Sequence, residues 1–531
     1  MIFRQQNQSE FHVSVCYSLQ YFVILAFLEF QITDEMNKNK SVIIIGAGVG
    51  GIATALYLAK KGYEVKVYEK NATPGGRCGQ IVREGHRFDL GATIFLMPNI
   101  YRKIFDSLGL KFDECFETRP LQTIYTLYFD DGMRISFTTD LNQMQLQLEA
   151  IEPGSFNKFL YYIASGYHKY ALAYKNLIGR NFYSLAEFIN FKNILLLLRL
   201  KVYIRHIHYA GRFFKNSNLK KAFTFQNIYV GQDPLKAPAM FVMIPAAELI
   251  EGSLYTMGGM YGIVNKLCLH AEELGVQFFY NHPVEKIEVD NNHVSGVVLK
   301  DKTKIDADIV VANADLPYVY RELLPDEQLG RRMDKMRYTC SAIVFHWGLK
   351  KAYPQLGHHS VFLSGRYREN LKLIFNKKSL SSEPSFYVHA PVRTDPGAAP
   401  AGHDTLSVII PSGHLDDRFE QDWVQRKNEA RKSIIARLAK EGLTDLEENI
   451  KFEISYLPGT WQNMFNLTRG ATFGSLNHNI MQMGYFRPQN QHRHYRNLFF
   501  TGGSTHPGNG VPLVLLSAQL TAERILRMTG D

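Results

Sequence analysis

Residues 41–70 read SVIIIGAGVGGIATALYLAKKGYEVKVYEK, which combines an apolar run, a glycine-rich turn and a second short apolar run. The β-branched run at residues 42–45 predicts a strand that is buried on both faces of a parallel sheet. We expect a helix over residues 51–61 and a second strand over residues 64–68. This order of elements indicates an α/β protein with a Rossmann-like nucleotide-binding domain.

The turn between the first strand and the helix has the pattern GxGxxG, formed by Gly46, Gly48 and Gly51. The first glycine permits the tight bend, the second lets a pyrophosphate approach the backbone, and the third lets helix and strand pack closely. Glu69 stands at the end of the second strand, where an acidic side chain accepts hydrogen bonds from ribose hydroxyls. The stretch therefore predicts a dinucleotide site.

The residues after Glu69 distinguish between dinucleotides. Gly75, Gly76 and Arg77 follow the second strand directly. Two glycines suit a second contact with a diphosphate, and the guanidinium of Arg77 can donate two parallel hydrogen bonds. The segment resembles the GG signature of the flavin-containing amine oxidases and carotenoid desaturases, which simple NAD dehydrogenases do not need. FAD is the expected cofactor.

Composition limits the remaining possibilities. The chain has 531 residues, is 46% hydrophobic and carries a formal net charge of +10, enough for two or more subdomains. Its five cysteines have no CxxC spacing, which argues against a disulfide framework or a zinc site and favours a reducing, cytoplasmic compartment.

The positive charge is concentrated in residues 155–221, which contain twelve lysines and arginines and one acidic residue, Glu187. One interpretation is a solvated basic face. Another is a surface for anionic lipid, because aromatic residues and leucines alternate with the cations. Residues 194–198 and the pair Phe213 and Phe214 would enter the acyl boundary. The cations expected to meet phosphate headgroups are Arg199, Lys201, Arg205, Arg212 and Lys215. Nucleic acid is the less favoured partner. No apolar run reaches the roughly 18 residues of a membrane-spanning helix, so we expect peripheral membrane association.

The C-terminal residues 497–526 read NLFFTGGSTHPGNGVPLVLLSAQLTAERIL. Here Gly502 and Gly503 allow close approach to a ligand after a short strand. A helix is expected after Pro512, and its N-terminus would stabilise negative charge on a reduced flavin.

This segment resembles bacterial and fungal phytoene desaturases. GHRFDLGAT, AFTFQNIYVGQDP and MGYFRPQN resemble that family too, in the same order, over residues 41–527. One departure is GGSTHPGNGVPLV, where many members have GAGTHPGAGIPGV. The variant could reflect a different carotene or a different number of steps.

The resemblance implies a Rossmann-like FAD domain of this type, with an inserted mixed sheet-and-helix substrate domain. It places Val284 on the strand that passes the adenine. The implied boundaries are residues 1–36 (a dispensable N-terminal extension), 37–110, 251–320 and 481–531 (FAD domain), 111–250 (a helical, basic, membrane-facing region) and 321–480 (substrate domain).

The resemblance also implies the reaction. Hydrogens would leave adjacent saturated carbons of a C30 or C40 polyene, a hydride passing to FAD and a proton leaving the neighbouring carbon, with oxygen or a quinone as final electron acceptor. Such a substrate requires a long apolar tunnel, for which residues 222–231 and 236–252 are candidate walls.

His506 is the candidate catalytic residue, because it follows the GGST turn beside the expected flavin. It would act as a proton acceptor or orient the polyene, although a structural histidine that fixes the loop is the more common role for such a residue. The adjacent residues His358 and His359 have no further potential metal ligands at a suitable spacing in the sequence. We therefore expect them to be surface or core histidines and expect no metal site.

Four alternatives stay open at this point. A carotene isomerase and a polyene saturase would share the fold and the flavin. A flavin amine oxidase is more distant in substrate. A non-catalytic prenyl-binding escort protein has a related fold without flavin, but it would not need the set formed by Gly46, Gly48, Gly51, Glu69 and Arg77.

Overall fold

The computed structural model describes residues 40–324 and 327–530. The expected N-terminal extension lies outside these residues, and its dispensability stays a prediction. None of the helices in the described part of the chain is both long enough and apolar enough to span a bilayer.

A five-stranded parallel sheet forms one half of the molecule. Its strands, in spatial order, are Leu498–Phe500, Ile309–Ala312, Ser41–Ile45, Glu64–Tyr68 and Gln277–Phe279. Three distant stretches of sequence therefore build one sheet. The expected strands are confirmed, and the helix after the first strand runs over Val49–Ala59, two residues earlier than predicted.

The central strand Ser41–Ile45 is buried on both faces, as its composition predicts. Val42 and Ile44 pack into the cluster formed with the helices on one face, whereas Ile43 and Ile45 pack into a separate cluster on the other face. Helices Val49–Ala59, Tyr261–Glu273 and Val511–Thr529 cover the first face. The three-stranded sheet Val284–Asp290, His293–Leu299 and Lys304–Asp306 lies on the second.

A seven-stranded sheet forms the other half. Its spatial order is Ile450–Tyr456, Ser341–Leu349, Asp404–Ser412, Phe386–His389, His359–Phe362, Thr123–Tyr128 and Arg134–Thr138. All pairs are antiparallel except the parallel pair between His359–Phe362 and Thr123–Tyr128. The hairpin at residues 123–138 thus joins strands from far along the chain, so the two expected excursions from the FAD domain share one sheet.

The basic region is helical, as expected, with helices Ser155–Ala173, Leu185–Phe188, Phe191–Leu200, His206–Ala210 and Ser217–Ala222. We expected the residue pair Phe213 and Phe214 to be available for insertion into lipid, and that is wrong for Phe214. Its side chain is fully buried and stacks on Phe223, because it completes the core under the seven-stranded sheet. Phe213 is half-buried.

The close packing of the glycine turn can be tested by comparing two glycines that both lie in helices, one at the turn and one elsewhere. A Cβ on Gly51 would lie 2.2 Å from the carbonyl oxygen of Gly46, whereas a Cβ on Gly262 meets nothing within 4 Å. We expect Gly51→Ala to lower the free energy of unfolding by about 1–3 kcal/mol, although alanine is the better helix former. The matched change Gly262→Ala should be neutral or stabilising. Thermal unfolding measures both, and an unchanged midpoint for Gly51→Ala would contradict the close packing.

Candidate functional site

Two glycine turns lie against each other at the carboxyl ends of the first two parallel strands. Gly48 forms a parallel bridge with Gly75, and the amide of Gly75 donates to the carbonyl of Ala47 over 2.7 Å. Gly75 and Gly76 have φ angles of 100° and 55°, which favour glycine over residues with a Cβ. Gly48 also begins the helix Val49–Ala59 without a side-chain cap. The helix N-terminus is therefore left available for an anion.

Glu69 is buried at the end of strand Glu64–Tyr68. One carboxylate oxygen accepts from the backbone amide of Ala47 over 2.8 Å, and the other accepts from the backbone and side-chain nitrogens of Asn71, each over 2.8 Å. These bonds fix the carboxylate beside the glycine turn. Its remaining lone pairs can accept from ribose hydroxyls.

Arg77 lies in the wall of the same cavity as the two glycine turns. Its Nη1 donates to the carbonyl of Thr472 over 2.7 Å. Burial lowers the pKa of the guanidinium, and the nearby carboxylate of Asp315 opposes that shift. Burial likewise raises the pKa of Asp315, against a hydrogen bond from the amide of Thr468. The second amino group of Arg77 is directed near Gly503, so the guanidinium links the two glycine-rich segments.

The C-terminal loop with Gly502 and Gly503 forms another part of the cavity wall. Arg487, which is buried, donates to the carbonyls of Gly503 and Thr505 over 2.6 and 2.7 Å. Asn490, also buried, donates to the carbonyls of Phe500 and His506 over 3.2 and 3.0 Å. Two buried polar side chains thus hold a loop that has few bonds of its own.

His506 lies in the cavity wall and is almost fully buried. Its Nε2 is 3.0 Å from the carbonyl oxygen of Arg180, which can only accept, so Nε2 carries the hydrogen. Its Nδ1 has no partner among the described residues. Burial lowers the pKa of the imidazole to about 4, partly opposed by the Arg180 carbonyl. The side chain is neutral at neutral pH; its Nδ1 is buried without a donor in the described part of the chain, and the backbone of Gly484 also lies within hydrogen-bonding reach of the ring.

The structure brings almost all of the expected site residues to one cavity of about 590 Å³. The members in its wall are Gly46, Gly48, Glu69, Gly75, Gly76, Arg77, Val284, Gly502, Gly503 and His506. Gly51 is the exception, because it packs behind the turn against Gly46. Val284 is buried at the start of strand Val284–Asp290.

The opposite end of the cavity is apolar. Phe225, Ile228 and Tyr229 from the first candidate wall segment, and Phe241 and Ile244 from the second, line it. The charged side chains in the lining are Glu69, Lys70, Arg77 and Asp315, which belong to the glycine-turn end. The cavity therefore has a polar end suited to a nucleotide and an uncharged end suited to a hydrocarbon.

Sequence reasoning missed three residues that shape the polar end. Asn313 donates from Nδ2 to the carbonyl of Gly46 over 3.1 Å, and it lies directly after strand Ile309–Ala312. Its place at the carboxyl end of a buried parallel strand was a usable signal. Arg487 and Asn490 lie in the segment MGYFRPQN, which marks the family resemblance, but nothing local indicates their role, because their partners are backbone carbonyls many residues away.

The structure adds a third histidine to the pair His358 and His359. Both are buried, and His389 joins them, so that ligand atoms from the three side chains lie within 4.8 Å of one another. The third histidine comes from a neighbouring strand, whose pairing the sequence does not reveal. His358 and His359 therefore lie next to a third potential metal ligand.

The polar end fits FAD on the structure alone. It offers an uncapped helix N-terminus beside two glycine turns for the pyrophosphate, a buried carboxylate for the ribose, and a buried guanidinium. A Cβ on Gly48 would lie 2.7 Å from the Nδ2 of Asn313, so a side chain here would crowd the turn.

Comparison with known proteins agrees with this site. Residues 49–526 match the family model of the flavin-containing amine oxidoreductases. The chain resembles a putrescine oxidase in structure, with a TM-score of 0.60 at 16% identity, over 92% of this chain and 99% of that one. The chain thus has the fold of a FAD-dependent oxidoreductase and belongs to the flavin-containing amine oxidoreductases.

Two curated relatives narrow the class. A zeta-carotene-forming phytoene desaturase of Myxococcus xanthus is 38% identical over 92% of this chain and 94% of its own length. A 4,4'-diapophytoene desaturase of Staphylococcus aureus is 33% identical over 92% of this chain and 98% of its own. The chain belongs to the FAD-dependent carotenoid desaturases, oxidoreductases that act on CH–CH bonds.

The role of Glu69 in FAD binding can be tested by comparing its removal with that of Glu64, a carboxylate at the other end of the same strand. We expect Glu69→Ala to weaken FAD binding by about 1–3 kcal/mol, because a charge-assisted acceptor for the ribose and for the Ala47 amide is lost. Glu64→Ala removes an exposed carboxylate that pairs with Lys66 and should leave the affinity unchanged. Titration of the apoprotein with FAD measures both. Equal affinities for the two variants would exclude Glu69 from the nucleotide site.

Proposed function

We propose that the protein desaturates a long polyene hydrocarbon, phytoene or its C30 analogue, in carotenoid biosynthesis. The observation that supports this most is the division of one cavity into a charged nucleotide end and an uncharged aromatic end. A diamine would need a carboxylate to pair with its ammonium, because an unpaired buried charge is costly. The uncharged end therefore favours a hydrocarbon over an amine.

Bound FAD supplies the two-electron acceptor for the hydride removed from the substrate. The protein must hold the polyene in one orientation and exclude water. Tyr229, Phe241 and Ile244 would contact the chain, together with Tyr367 at the start of helix Tyr367–Asn376. These side chains carry no charge and contact the substrate through apolar surface, which suits a substrate with no polar group.

We propose that His506 accepts the proton that leaves the neighbouring carbon. Its Nδ1 is buried but accepts no hydrogen bond from the described residues, and its Nε2 hydrogen is bonded to the Arg180 carbonyl. A pKa of about 4 makes the imidazole a weak base. A weak base suffices here, since a C–H bond beside a carbon that has lost a hydride is strongly acidic.

The product spectrum tests the overall reaction. Expression in cells that accumulate phytoene should give a pigment with longer conjugation than phytoene, read by chromatography and absorption. Unchanged conjugation with altered geometry would indicate an isomerase, and shortened conjugation of a supplied carotene a saturase. Turnover without oxygen, with and without an added quinone, would distinguish the two electron acceptors that we propose.

His506→Gln tests the proton acceptor separately from the loop. The glutamine amide can still donate to the Arg180 carbonyl but is not basic. We expect normal FAD content and a rate of desaturation lower by about 10²–10⁴-fold, the usual contribution of a general base. His506→Ala, which also loses the bond to Arg180, should in addition lose FAD. An unchanged rate for His506→Gln would leave only a structural role.

We propose that the protein docks on membranes through helix Phe191–Leu200, since a carotene is dissolved in the bilayer. Phe191, Ile194, Leu195 and Leu198 follow the spacing of one helix face, and their side chains are 83%, 50%, 40% and 52% exposed. Leu196, on the other face, is buried. This exposed apolar stripe is therefore available for the acyl boundary of a bilayer.

The stripe lies close to the cavity wall. Phe188, just before the helix, packs against the rings of Tyr485 and Phe486. Their neighbours Met483 and Gly484 line the cavity. A substrate leaving the bilayer at the stripe would therefore have a short path to the cavity.

Exposed cations around the stripe would meet anionic headgroups. Lys192, Arg199, Arg205 and Lys215 are exposed, and each contributes about 1 kcal/mol near an anionic membrane. Lys201 is a weaker candidate, because it is half-buried with its ammonium 5.0 Å from the ring centre of Tyr209.

Vesicle flotation tests the docking surface. Changing Lys192, Arg199, Arg205 and Lys215 to Glu should weaken binding to anionic vesicles at low salt by roughly 1,000-fold. The matched control changes four exposed lysines elsewhere to Glu, with the same loss of charge: Lys61, Lys377, Lys432 and Lys440. Equal flotation of both variants would reject this surface. Phe191→Ser should weaken binding to neutral vesicles as well.

A further inference from the structure

Three histidines form a buried cluster behind the cavity wall, apart from the residues assigned to FAD. His359 begins strand His359–Phe362 and His389 ends strand Phe386–His389, and the two are direct cross-strand partners. His358 precedes the first strand, and its carbonyl accepts from the amide of Ala390 over 2.9 Å. The backbone of the sheet therefore holds all three side chains in place.

The hydrogen bonds of two of these rings direct their Nε2 lone pairs inward. Nδ1 of His359 is 2.7 Å from the Tyr387 hydroxyl, and Nδ1 of His358 is 2.7 Å from the Thr394 hydroxyl. When Nδ1 donates to these oxygens, Nε2 is the unprotonated atom. Metal-bound histidines in proteins use their second ring nitrogen in this way.

The spacing of the ring nitrogens suits a small cation. Nε2 of His358 and Nε2 of His389 are 3.2 Å apart, close to the roughly 3.3 Å between ligands at 2.0–2.1 Å from a tetrahedral zinc ion. Nε2 of His359 is buried and has no partner in the described part of the chain. The ligand atoms lie within 4.8 Å of one another, so a shift of about 1.5 Å at one nitrogen would bring the widest spacing to that of a tetrahedral site.

The charge state of the rings is compatible with binding. Burial lowers the pKa of His358 to about 3, with the positive charge of Arg393 adding to the effect and Asp395 opposing it. Burial also holds the pKa values of His359 and His389 well below the usual range. All three imidazoles are therefore neutral, the form that ligates metals, and protons do not compete for the lone pairs.

We propose that His358, His359 and His389 bind one borderline divalent cation, with zinc as the best match to three imidazole ligands. A solvent molecule takes the fourth position. The cation ties residue 358 and two adjacent strands together, and through the bond from His359 it fixes Tyr387. The Tyr387 hydroxyl also contacts Thr93 over 2.9 Å, and both residues line the substrate cavity. The site is therefore a structural one that supports the cavity wall.

Cobalt titration of the chelator-treated holoprotein tests this site through ligand-field absorption at wavelengths beyond the flavin bands. We expect one Co²⁺ per chain in wild type, displaced by Zn²⁺, and an affinity at least 100-fold lower in His389→Gln. His346→Gln is the matched control: His346 is buried on a nearby strand with its Nδ1 bonded to Ser407, outside the three-histidine cluster. It should bind as wild type does. Tyr387→Phe should weaken binding by 10–100-fold, because His359 loses the acceptor for its Nδ1 hydrogen.

A second measurement uses the wild-type protein alone and so does not depend on whether any variant folds. Zinc X-ray absorption of the loaded wild-type protein should show imidazole ligands at about 2.0–2.1 Å, and Zn²⁺ should raise the midpoint of thermal unfolding. The proposal is overturned if wild type binds no stoichiometric Co²⁺ or Zn²⁺, if the zinc shell contains only oxygen, or if His389→Gln binds as tightly as wild type. Desaturase activity does not enter any of these readouts, so the reaction proposed above stands or falls independently.

Discussion

The parallel pairing of strand Ser41–Ile45 with Glu64–Tyr68 and Ile309–Ala312 is the constraint on which the site depends. Parallel strands end at the same edge, so the residues that follow them meet there whatever their separation in sequence. Gly46, Glu69 and Asn313 are brought together in this way. The pairing is stable because the central strand buries alternate side chains in two different hydrophobic clusters.

One cavity must bind two ligands whose solvation requirements are opposite. A nucleotide needs ionised groups and backbone donors, whereas a hydrocarbon gains nothing from them and is bound by the removal of apolar surface from water. The protein keeps its charged lining residues next to the glycine turns and builds the rest from aromatic and aliphatic side chains. Such a wall selects for length and shape rather than for functional groups.

Local sequence patterns predicted the nucleotide half well, because strand, glycine turn, helix and acidic residue are set by short-range chemistry. They failed where a residue acts through a distant partner. Arg487 binds carbonyls that lie beyond any local pattern, His389 reaches His359 through strand pairing, and Phe214 is buried by a sheet assembled from far-apart segments. Hydrophobic periodicity marks a buried or exposed face within one element but does not identify what will cover it.

The order of strands in the nucleotide sheet has a consequence for biosynthesis. Its edge strand Leu498–Phe500 and the covering helix Val511–Thr529 follow all the other strands of this sheet in sequence, far beyond strand Ile309–Ala312. The sheet cannot be completed until residues 498–529 have left the ribosome, so the earlier strands of this half must wait for a segment that is synthesised long after them. Until then the aromatic cavity walls stay exposed, and the nascent chain is a natural client for chaperones that shield apolar surface.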